Sequence, residues 1–278
     1  MIKQLILCAD DYAADAYVSE GILQLATLKK INAISALVNF PFWNEASVAL
    51  NDLQSHCYLG LHLNVTEGLA LSQAWQVQYG PCFNGLASLI TKGVLRQLDP
   101  AVIKAEIHAQ LKTFTKATGL LPDFIDGHQH VHQLPFIREV LLSVYREDKL
   151  TAFLRQTSNG WQDFFSTTAF PKQQLIALLG GISFKHRLKK EGISTNSSFA
   201  GIYRFKMARQ YGDYFKTFLA NSLEGGIIMC HPGLPSKNTA DPLQHSRPYE
   251  FQYFMSEQFE VDRQNHQVQL KQKGMPIL

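Results

Sequence analysis

The sequence predicts an α/β fold in which a parallel sheet curls into an irregular (β/α) barrel. Short apolar runs of strand length alternate with helical patterns along most of the 278 residues, which favours parallel strands joined by right-handed crossovers. The apolar runs are nearly continuous, as expected of strands that are buried on both faces. The length also suits one barrel domain over residues 1–278. A doubly wound open sheet is the alternative architecture.

The predicted strands are short apolar runs that end in turn residues or polar residues. The first, KQLILCA, leads directly into two aspartates, and the last, GGIIMC, leads into a histidine followed by proline and glycine. In chain order the runs cover residues 3–9, 33–40, 58–65, 123–126, 151–156 and 225–230.

The predicted helices carry apolar residues at intervals of three and four, which places these residues on one helix face. One helix also has clear end signals, because Asp99 precedes Pro100 at its start and Gly119 follows its end. Glycine, proline and aromatic residues interrupt the pattern over 66–98, which predicts a loop-rich insertion. The helices cover residues 16–30, 43–54, 101–118, 136–148, 172–192, 206–222 and 248–259.

Composition and charge exclude several classes of protein. With 46% hydrophobic and 18% charged residues, the chain has material for a sizeable core and does not resemble a disordered protein. The formal net charge is only +3. The basic run KHRLKKE at 185–191 is typical of a solvated helix face. We therefore expect no nucleic-acid partner.

Cysteine usage predicts a reducing, cytoplasmic setting. No two cysteines form a C-x-x-C pair, and a chain of this length rarely depends on a disulfide framework. The apolar stretch at the N-terminus is too short for a signal peptide, and no window approaches the ~18 apolar residues of a membrane span. No feature of the sequence points to a particular assembly, and a homodimer is expected only because it is the commonest oligomer of soluble proteins. The cysteines are Cys8, Cys57, Cys82 and Cys230.

Ionisable residues stand at or just beyond the carboxyl ends of five predicted strands. In a parallel barrel these ends share one face, where active sites are built. Each residue alone has a simpler explanation, such as a helix cap for an aspartate, but their convergence on one face favours a functional site. The residues are Asp10, Asp11, His62, Asp126, His128, Arg155 and His231.

Three of these residues suit a metal ion of the zinc type. Histidine nitrogen and carboxylate oxygen are its usual ligands, and a catalytic site keeps one position open for water. Asp11, His62 and His128 would supply one carboxylate and two imidazoles from three strands. Asp10 would stand beside them as a base, and Asp126 would orient a ligand imidazole.

Such a metal centre predicts hydrolysis of an amide or ester. A bound divalent ion lowers the pKa of water to ~7 and stabilises the oxyanion that forms. A protonated His231 would then act as the acid that gives a proton to the leaving amine. His130 and Arg155 are candidates for orienting ligands or contacting substrate, and a structural role is equally open for His130 and His132. Aromatic residues that could contact a sugar, or simply pack, are Phe42, Trp43, Trp75, Tyr79, Phe83 and Trp161.

Five motifs follow one another along the chain between residues 6 and 233. They are ILCADDY, VSEGI, GLHLNVTEG, DFIDGHQHVHQLP and MCHPG. Together they resemble, in order, the motifs of the YdjC-like carbohydrate deacetylases, the chitooligosaccharide deacetylase group, although the usual ADDFG reads ADDYA here. The resemblance implies an irregular barrel of the polysaccharide-deacetylase type. It also implies removal of N-acetyl groups from small N-acetylglucosamine-containing sugars.

The resemblance assigns roles that agree with those argued from the residues. Asp11, His62 and His128 match the metal ligands, Asp10 matches the catalytic base, and His231 matches the histidine on the acid side. The ligand types suit zinc, whereas the family is commonly described with magnesium. The expected cofactor is therefore one divalent ion, Zn²⁺ or Mg²⁺, and the expected partner is a small acetylated amino sugar.

Three other functions remain open. A branch of the family acts on lipid-linked material, so a lipid-linked amino sugar is one alternative substrate. A phosphoesterase on a similar barrel would need further acidic ligands and a two-metal cluster. A sugar-binding protein without activity would be expected to lack residues such as Asp10 or His231, and both are present.

Overall fold

Parallel strands follow one another in chain order around an irregular barrel. A computed structural model describes residues 2–158 and 180–275. All strand pairs are parallel, and β1 pairs with β2 on one side and β7 on the other. The strands are β1 (Lys3–Tyr12), β2 (Ala33–Ala36), β3 (Tyr58–Leu63), β4 (Phe124–Gly127), β5 (Phe153–Leu154), β6 (Phe199–Ala200), β7 (Ile227–Cys230) and β8 (Val268–Leu270).

Among the described residues, no strand pairing joins β5 to β6. The strand order is β5-β4-β3-β2-β1-β7-β6, and β8 pairs with the beginning of β1. Between β5 and the segment before β6, the Leu154 N–H donates to the Ser194 carbonyl at 3.0 Å. This sequential order confirms the predicted irregular barrel, because a doubly wound sheet would reverse its strand order at the centre.

Helices surround the sheet. Short 3-10 segments over Leu50–Leu53, His128–Gln133 and Phe205–Gln210 extend or precede some of them. Among the described residues, no helix combines the length and apolar character needed to cross a bilayer. The helices are α1 (Ala16–Thr27), α2 (Trp43–Ala49), α3 (Gln73–Tyr79), α4 (Gly85–Val94), α5 (Pro100–Thr118), α6 (Pro135–Glu147), α7 (Ile182–Glu191), α8 (Tyr211–Asn221), α9 (Arg247–Met255) and α10 (Glu257–Asn265).

The barrel has an apolar filling and a separate apolar layer beneath its helices. In β1, alternate residues face opposite ways, so Leu5 and Leu7 join the layer under the helices while Ile6 and Cys8 point inward. Strands β1 to β7 all contribute to the inner cluster, which is Ile6, Cys8, Ala33, Tyr58, Phe124, Phe153, Phe199, Ile202, Ile227 and Met229. The four cysteines are free, as the sequence predicts.

The expected loop-rich insertion over 66–98 is wrong in part, because it contains α3 and α4. Ser72 caps α3 by accepting a hydrogen bond from the Trp75 N–H at 3.2 Å. Gly80, with φ +94°, then ends the helix. Both helices are short, at 7 and 10 residues, so neither shows a long helical period in the sequence.

Other boundaries also differ from the predictions. Strand β2 ends at Ala36 rather than residue 40, and Ser256, with ψ 158°, divides the helix predicted over 248–259. Strands β6 and β8 have 2 and 3 residues and were not predicted, because runs this short have no period to detect. Trp161 and the part of the predicted helix over 172–179 lie outside the described residues.

Candidate active site

A layer of polar side chains lies at the carboxyl ends of the strands, directly above the apolar side chains that fill the barrel interior. Asp10, Ser35, Asp126 and Arg155 each lie two residues beyond an inward-facing member of the inner cluster, and His62 lies four residues beyond Tyr58, as the two-residue strand period requires. All members of the layer are buried, at 2% exposure or less. The layer consists of Asp10, Ser35, His62, Asp126 and Arg155.

A bulge at the end of β1 turns two consecutive aspartates toward the site. The pairing of β1 with β2 shifts between Ala9 and Tyr12, and Asp11 has a left-handed φ of +68°. Regular alternation would send adjacent residues to opposite faces of the sheet, and a bulge re-aims one of them. Asp10 therefore faces the barrel interior while Asp11 faces the neighbouring histidines.

Asp11, His62 and His128 form the candidate metal centre. Each offers one ligand atom, and these atoms lie within 4.8 Å of one another. Asp11 Oδ1 is 2.9 Å from His128 Nδ1 and 3.5 Å from His62 Nε2. The His128 side chain is 16% exposed, against 4% for Asp11, so the group opens to solvent on its side. The structure thus brings together the three predicted ligands.

Asp126 fixes the orientation of the His62 ring through the ring nitrogen that points away from Asp11. His62 Nδ1 lies 2.6 Å from Asp126 Oδ1, and the Ser35 hydroxyl donates to the same oxygen at 2.5 Å. Burial alone would lower the pKa of His62. The negative charges of Asp126 and Asp10 outweigh this effect and raise that pKa to about 10. Because Nδ1 is engaged, Nε2 is the nitrogen that remains for a metal.

The Asp11 carboxylate is shared between the histidines and an arginine. Arg247 donates to Oδ2 at 2.9 Å, while Oδ1 faces His128. Burial alone would raise the pKa of Asp11, but Arg247 and His128 outweigh it and hold that pKa well below its usual value. Asp11 is therefore ionised at neutral pH, as a metal ligand must be.

The second nitrogen of His128 faces an acidic residue at the rim. His128 Nε2 is 3.6 Å from Glu67 Oε1, and Gln129 donates to the same oxygen at 2.7 Å. Burial opposes protonation of His128, but Asp11 and Glu67 raise its pKa. Glu67 comes from the GLHLNVTEG motif, so this motif supplies both a ligand and a neighbour of another ligand.

Arg155 neutralises a second acidic group deeper in the barrel. Its guanidinium donates to both oxygens of Asp10 at 2.8 Å and lies 2.9 Å from Asp126 Oδ2. Cys8, Asp10 and Asp126 also bring ligand atoms within 4.8 Å. However, burial raises the pKa of the Cys8 thiol well above its usual value, and Arg155 already supplies the positive charge. Asp10 and Asp126 thus form an ion-pair network with Arg155.

Glu250 fixes the backbone of His231, the first residue after β7. The His231 backbone N–H donates to Glu250 Oε2 at 2.6 Å, and the Tyr203 hydroxyl donates to Oε1 at 2.6 Å. Burial lowers the pKa of His231 to about 4, although Asp11 and Asp10 oppose this. The ring is therefore neutral in the free protein at pH 7, which differs from the protonated ring that the sequence analysis expects.

The loop that carries His231 also rests against α1. A Cβ atom at Gly21 would lie 2.9 Å from Gly233 Cα, so any larger residue would push the loop away. The Leu234 N–H donates to the Tyr17 carbonyl at 3.1 Å on the same side. The glycine of the VSEGI motif thus permits the close approach that positions the MCHPG loop.

The other two histidines of the fourth motif are not in the candidate metal group. His132 is fully buried, and its Nε2–H donates to the Arg155 carbonyl at 2.7 Å. Burial lowers the pKa of His132 to about 4, so it is a neutral residue that supports the backbone of Arg155. His130 packs edge-on against Phe199, with ring centres 5.8 Å apart.

The predicted aromatic residues that the structure describes pack against the core. Trp43 stacks on Phe114 with ring centres 6.0 Å apart. In the insertion, Trp75 meets Tyr79 and Phe83 at 5.1 and 4.9 Å. Trp43 and Trp75 are 2% and 4% exposed, so neither offers an open face to a sugar.

Sequence reasoning missed several residues of the site, among them Ser35, Glu67, Arg247 and Glu250. Ser35 could have been found, because it is a polar residue at an inward position of an apolar strand. Arg247 and Glu250 follow the last predicted strand in a segment where the sequence shows only a helix. They lie three residues apart at the start of α9, which places both on one helix face.

The fold and the site together define a class, an irregular parallel barrel with a polar centre at its strand ends. The chain belongs to the YdjC-like protein family, whose model matches residues 4–264. This confirms the family resemblance that the motifs carry.

Relatives and one solved structure agree with this placement. The chain is 28% identical to a carbohydrate deacetylase of Xenopus laevis over 53% of this chain, and spans about half (49%) of that protein. A carbohydrate deacetylase of Mus musculus is 29% identical over 84% of this chain and 79% of its own length. A chitooligosaccharide deacetylase of Proteus mirabilis is 28% identical over 62% and 69%. A crystal structure from Enterococcus faecalis, described as that of a candidate cellobiose-phosphate cleavage protein, shares the fold, with TM-score 0.71, 19% identity and coverage of 98% and 97%.

Proposed function

We propose that this protein is a metal-dependent N-deacetylase that acts on a small N-acetylglucosamine-containing sugar of the chitooligosaccharide kind. The observation that carries the proposal is the group of Asp11, His62 and His128, whose ligand atoms lie within 4.8 Å of one another. Membership of the YdjC-like family supports it, as do relatives named carbohydrate deacetylase and chitooligosaccharide deacetylase.

Asp11, His62 and His128 would hold one divalent ion. Their donor set of one oxygen and two nitrogens fits Zn²⁺, and Mg²⁺ is the alternative. When bound, such an ion polarises the acetyl carbonyl and lowers the pKa of water to about 7. Asp126 keeps the His62 ring turned so that Nε2 faces Asp11 at 3.5 Å, which suits this role.

Asp10 is the proposed base. It neighbours the ligand Asp11 in the chain, and Arg155 donates to both of its oxygens, so the carboxylate is held in one orientation. A base that takes a proton from the attacking water contributes roughly 10²–10⁴-fold to the rate. Arg155 is therefore a positioning residue for the base rather than a substrate contact, since it is fully buried.

His231 is the proposed acid for the leaving amine. Its ring is neutral in the free protein at pH 7, because burial lowers its pKa to about 4. Negative charge that develops on the acetyl oxygen would raise the pKa of a histidine nearby. His231 would then take a proton from solvent and donate it to the leaving amine as the C–N bond breaks, while Asp10 returns to solvent the proton that it took from water. Glu250 fixes the His231 backbone for this step.

The alternative reactions receive less support. A phosphoesterase of this type would use a two-metal cluster, and the second acidic group, around Asp10, is instead paired with Arg155. A lipid-linked amino sugar would present the same acetamide to the same residues, so it remains the second candidate substrate for this chemistry.

Acetate release from N,N′-diacetylchitobiose tests the proposal. Metal-stripped protein would be assayed alone, with Zn²⁺ and with Mg²⁺, and His128→Ala would serve as the metal-free control. We expect acetate only when metal is restored. Folded protein that binds metal but releases no acetate would show that the proposed sugar is wrong, and a lipid-linked amino sugar would be assayed next. Folded protein that binds no metal would contradict the metal centre itself.

A further inference from the structure

Arg247 is a buried cation beside the candidate metal centre, where a positive charge would be expected to oppose metal binding. It is 4% exposed, and its guanidinium donates to Asp11 Oδ2 at 2.9 Å. None of the steps proposed above uses it. A buried arginine in contact with a metal ligand therefore requires its own explanation.

Arg247 is anchored on its other side, so its position does not depend on Asp11. Its Nε donates to Asp241 Oδ2 at 2.6 Å, and the same terminal nitrogen that reaches Asp11 lies 3.2 Å from Asp241 Oδ1. Its backbone carbonyl accepts the Gly233 N–H at 3.3 Å. The guanidinium is thus fixed by a planar contact that lysine could not reproduce.

The two oxygens of Asp11 consequently have different surroundings. Oδ1 faces His128 and His62, at 2.9 and 3.5 Å, whereas Oδ2 accepts from Arg247. A carboxylate with both oxygens free can bind a metal through both of them and fill an additional coordination position. A carboxylate oxygen held by a guanidinium is less available to a metal, so the other oxygen is the favoured ligand atom.

We propose that Arg247 restricts Asp11 to a single oxygen ligand and so keeps a coordination position open for water and substrate. This inference rests on the proposed function, because it concerns the same metal centre. Catalytic metal sites differ from structural sites in keeping such an open position. Arg247 is then a positioning residue that acts through Asp11 and touches neither the metal nor the sugar.

Cobalt titration of metal-stripped protein tests the proposal without relying on turnover. Co²⁺ in place of Zn²⁺ gives visible bands that weaken as its coordination number rises, and the same titration gives the affinity. The variants are Arg247→Met, which frees Oδ2, and Arg247→Lys, which keeps the charge but cannot bind both carboxylates. Arg138→Met is the matched control, because Arg138 is also buried, at 8% exposure, and pairs with Glu139 on α6.

We expect Arg247→Met to bind Co²⁺ at least as tightly as wild type, with weaker bands for each bound ion. Its kcat for acetate release should fall about 10–100-fold, the usual effect of changing a residue that orients a ligand, while KM changes less. Arg247→Lys should shift the same quantities in the same direction by a smaller amount, and it provides the test if the methionine variant does not fold. The Arg138 control should leave all of them unchanged.

Two results would overturn the inference while leaving the metal centre intact. One is a tenfold or greater loss of Co²⁺ affinity with unchanged bands, which would show that Arg247 helps to assemble the ligands. The other is unchanged bands and affinity in both Arg247 variants. Wild-type protein that binds no Co²⁺ would instead contradict the proposed function, and this inference with it.

Discussion

Replacing Arg155 with methionine should destabilise the metal-free protein by about 3–5 kcal/mol, the usual effect of removing one partner of a buried ion pair. The guanidinium is fully buried. Its contacts are two bonds of 2.8 Å to Asp10 and one approach of 2.9 Å to Asp126. Methionine would occupy much of the volume but would leave the buried Asp10 without its cation and Asp126 with only His62 beside it as a cation.

Urea unfolding at pH 7 in the presence of a chelator would measure this loss without a contribution from metal. Arg138→Met is the control, because its partner Glu139 has a side chain that is 49% exposed and such a pair contributes about 0–1 kcal/mol. The double variant Arg155→Met with Asp10→Asn should recover part of the loss, since the unpaired charge of Asp10 is gone. An Arg155→Met protein within about 1 kcal/mol of wild type would refute the reasoning.

Three further predictions concern activity and pH. Asp10→Asn should keep metal and lose roughly 10²–10⁴-fold in acetate release, whereas His128→Ala should lose both, as calorimetric metal titration and the acetate assay would show. The pH profile of kcat/KM reports ionisations of the free enzyme. It should show no fall near pH 6.5 from deprotonation of His231, because burial lowers the pKa of that ring to about 4. Burial raises the pKa of Glu250 to about 7, so the native state holds more protons than the unfolded state between pH 4.5 and 7. The free energy of unfolding should therefore fall across this range by up to about 3 kcal/mol, and Glu250→Gln should flatten the dependence.

Each prediction has a result that would contradict it. Equal metal loss in Asp10→Asn and His128→Ala would remove the distinction between base and ligand. An alkaline limb near pH 6.5 that disappears in His231→Asn would show that the protonated ring is the active form of the free enzyme. An unfolding free energy with the same pH slope in wild type and Glu250→Gln would show that Glu250 is not the titrating group.

The sequence was sufficient to predict the barrel and the inner part of the site, because both depend on strand periodicity. Once β1, β3 and β4 were placed, the polar residues at their carboxyl ends had to meet on one face. His62 and Asp126 followed from this rule without knowledge of any contact.

The remaining features depend on contacts that no local pattern encodes. Strict alternation would separate Asp10 from Asp11, and only the bulge with Asp11 at φ +68° brings both toward the site. The neutral state of His231 results from burial by the whole fold. Arg247 and Glu250 approach the site from α9, a helix whose residues reach the barrel only through tertiary packing.

The most direct test of the metal centre is a crystal structure of the protein soaked with Zn²⁺, with an anomalous difference map recorded at the zinc edge. We predict one peak, at about 2.0–2.2 Å from an Asp11 oxygen and from one nitrogen each of His62 and His128, with Asp10 still paired to Arg155. A peak among Cys8, Asp10 and Asp126, or no peak at the first group in protein that releases acetate, would contradict the assignment of ligands and base.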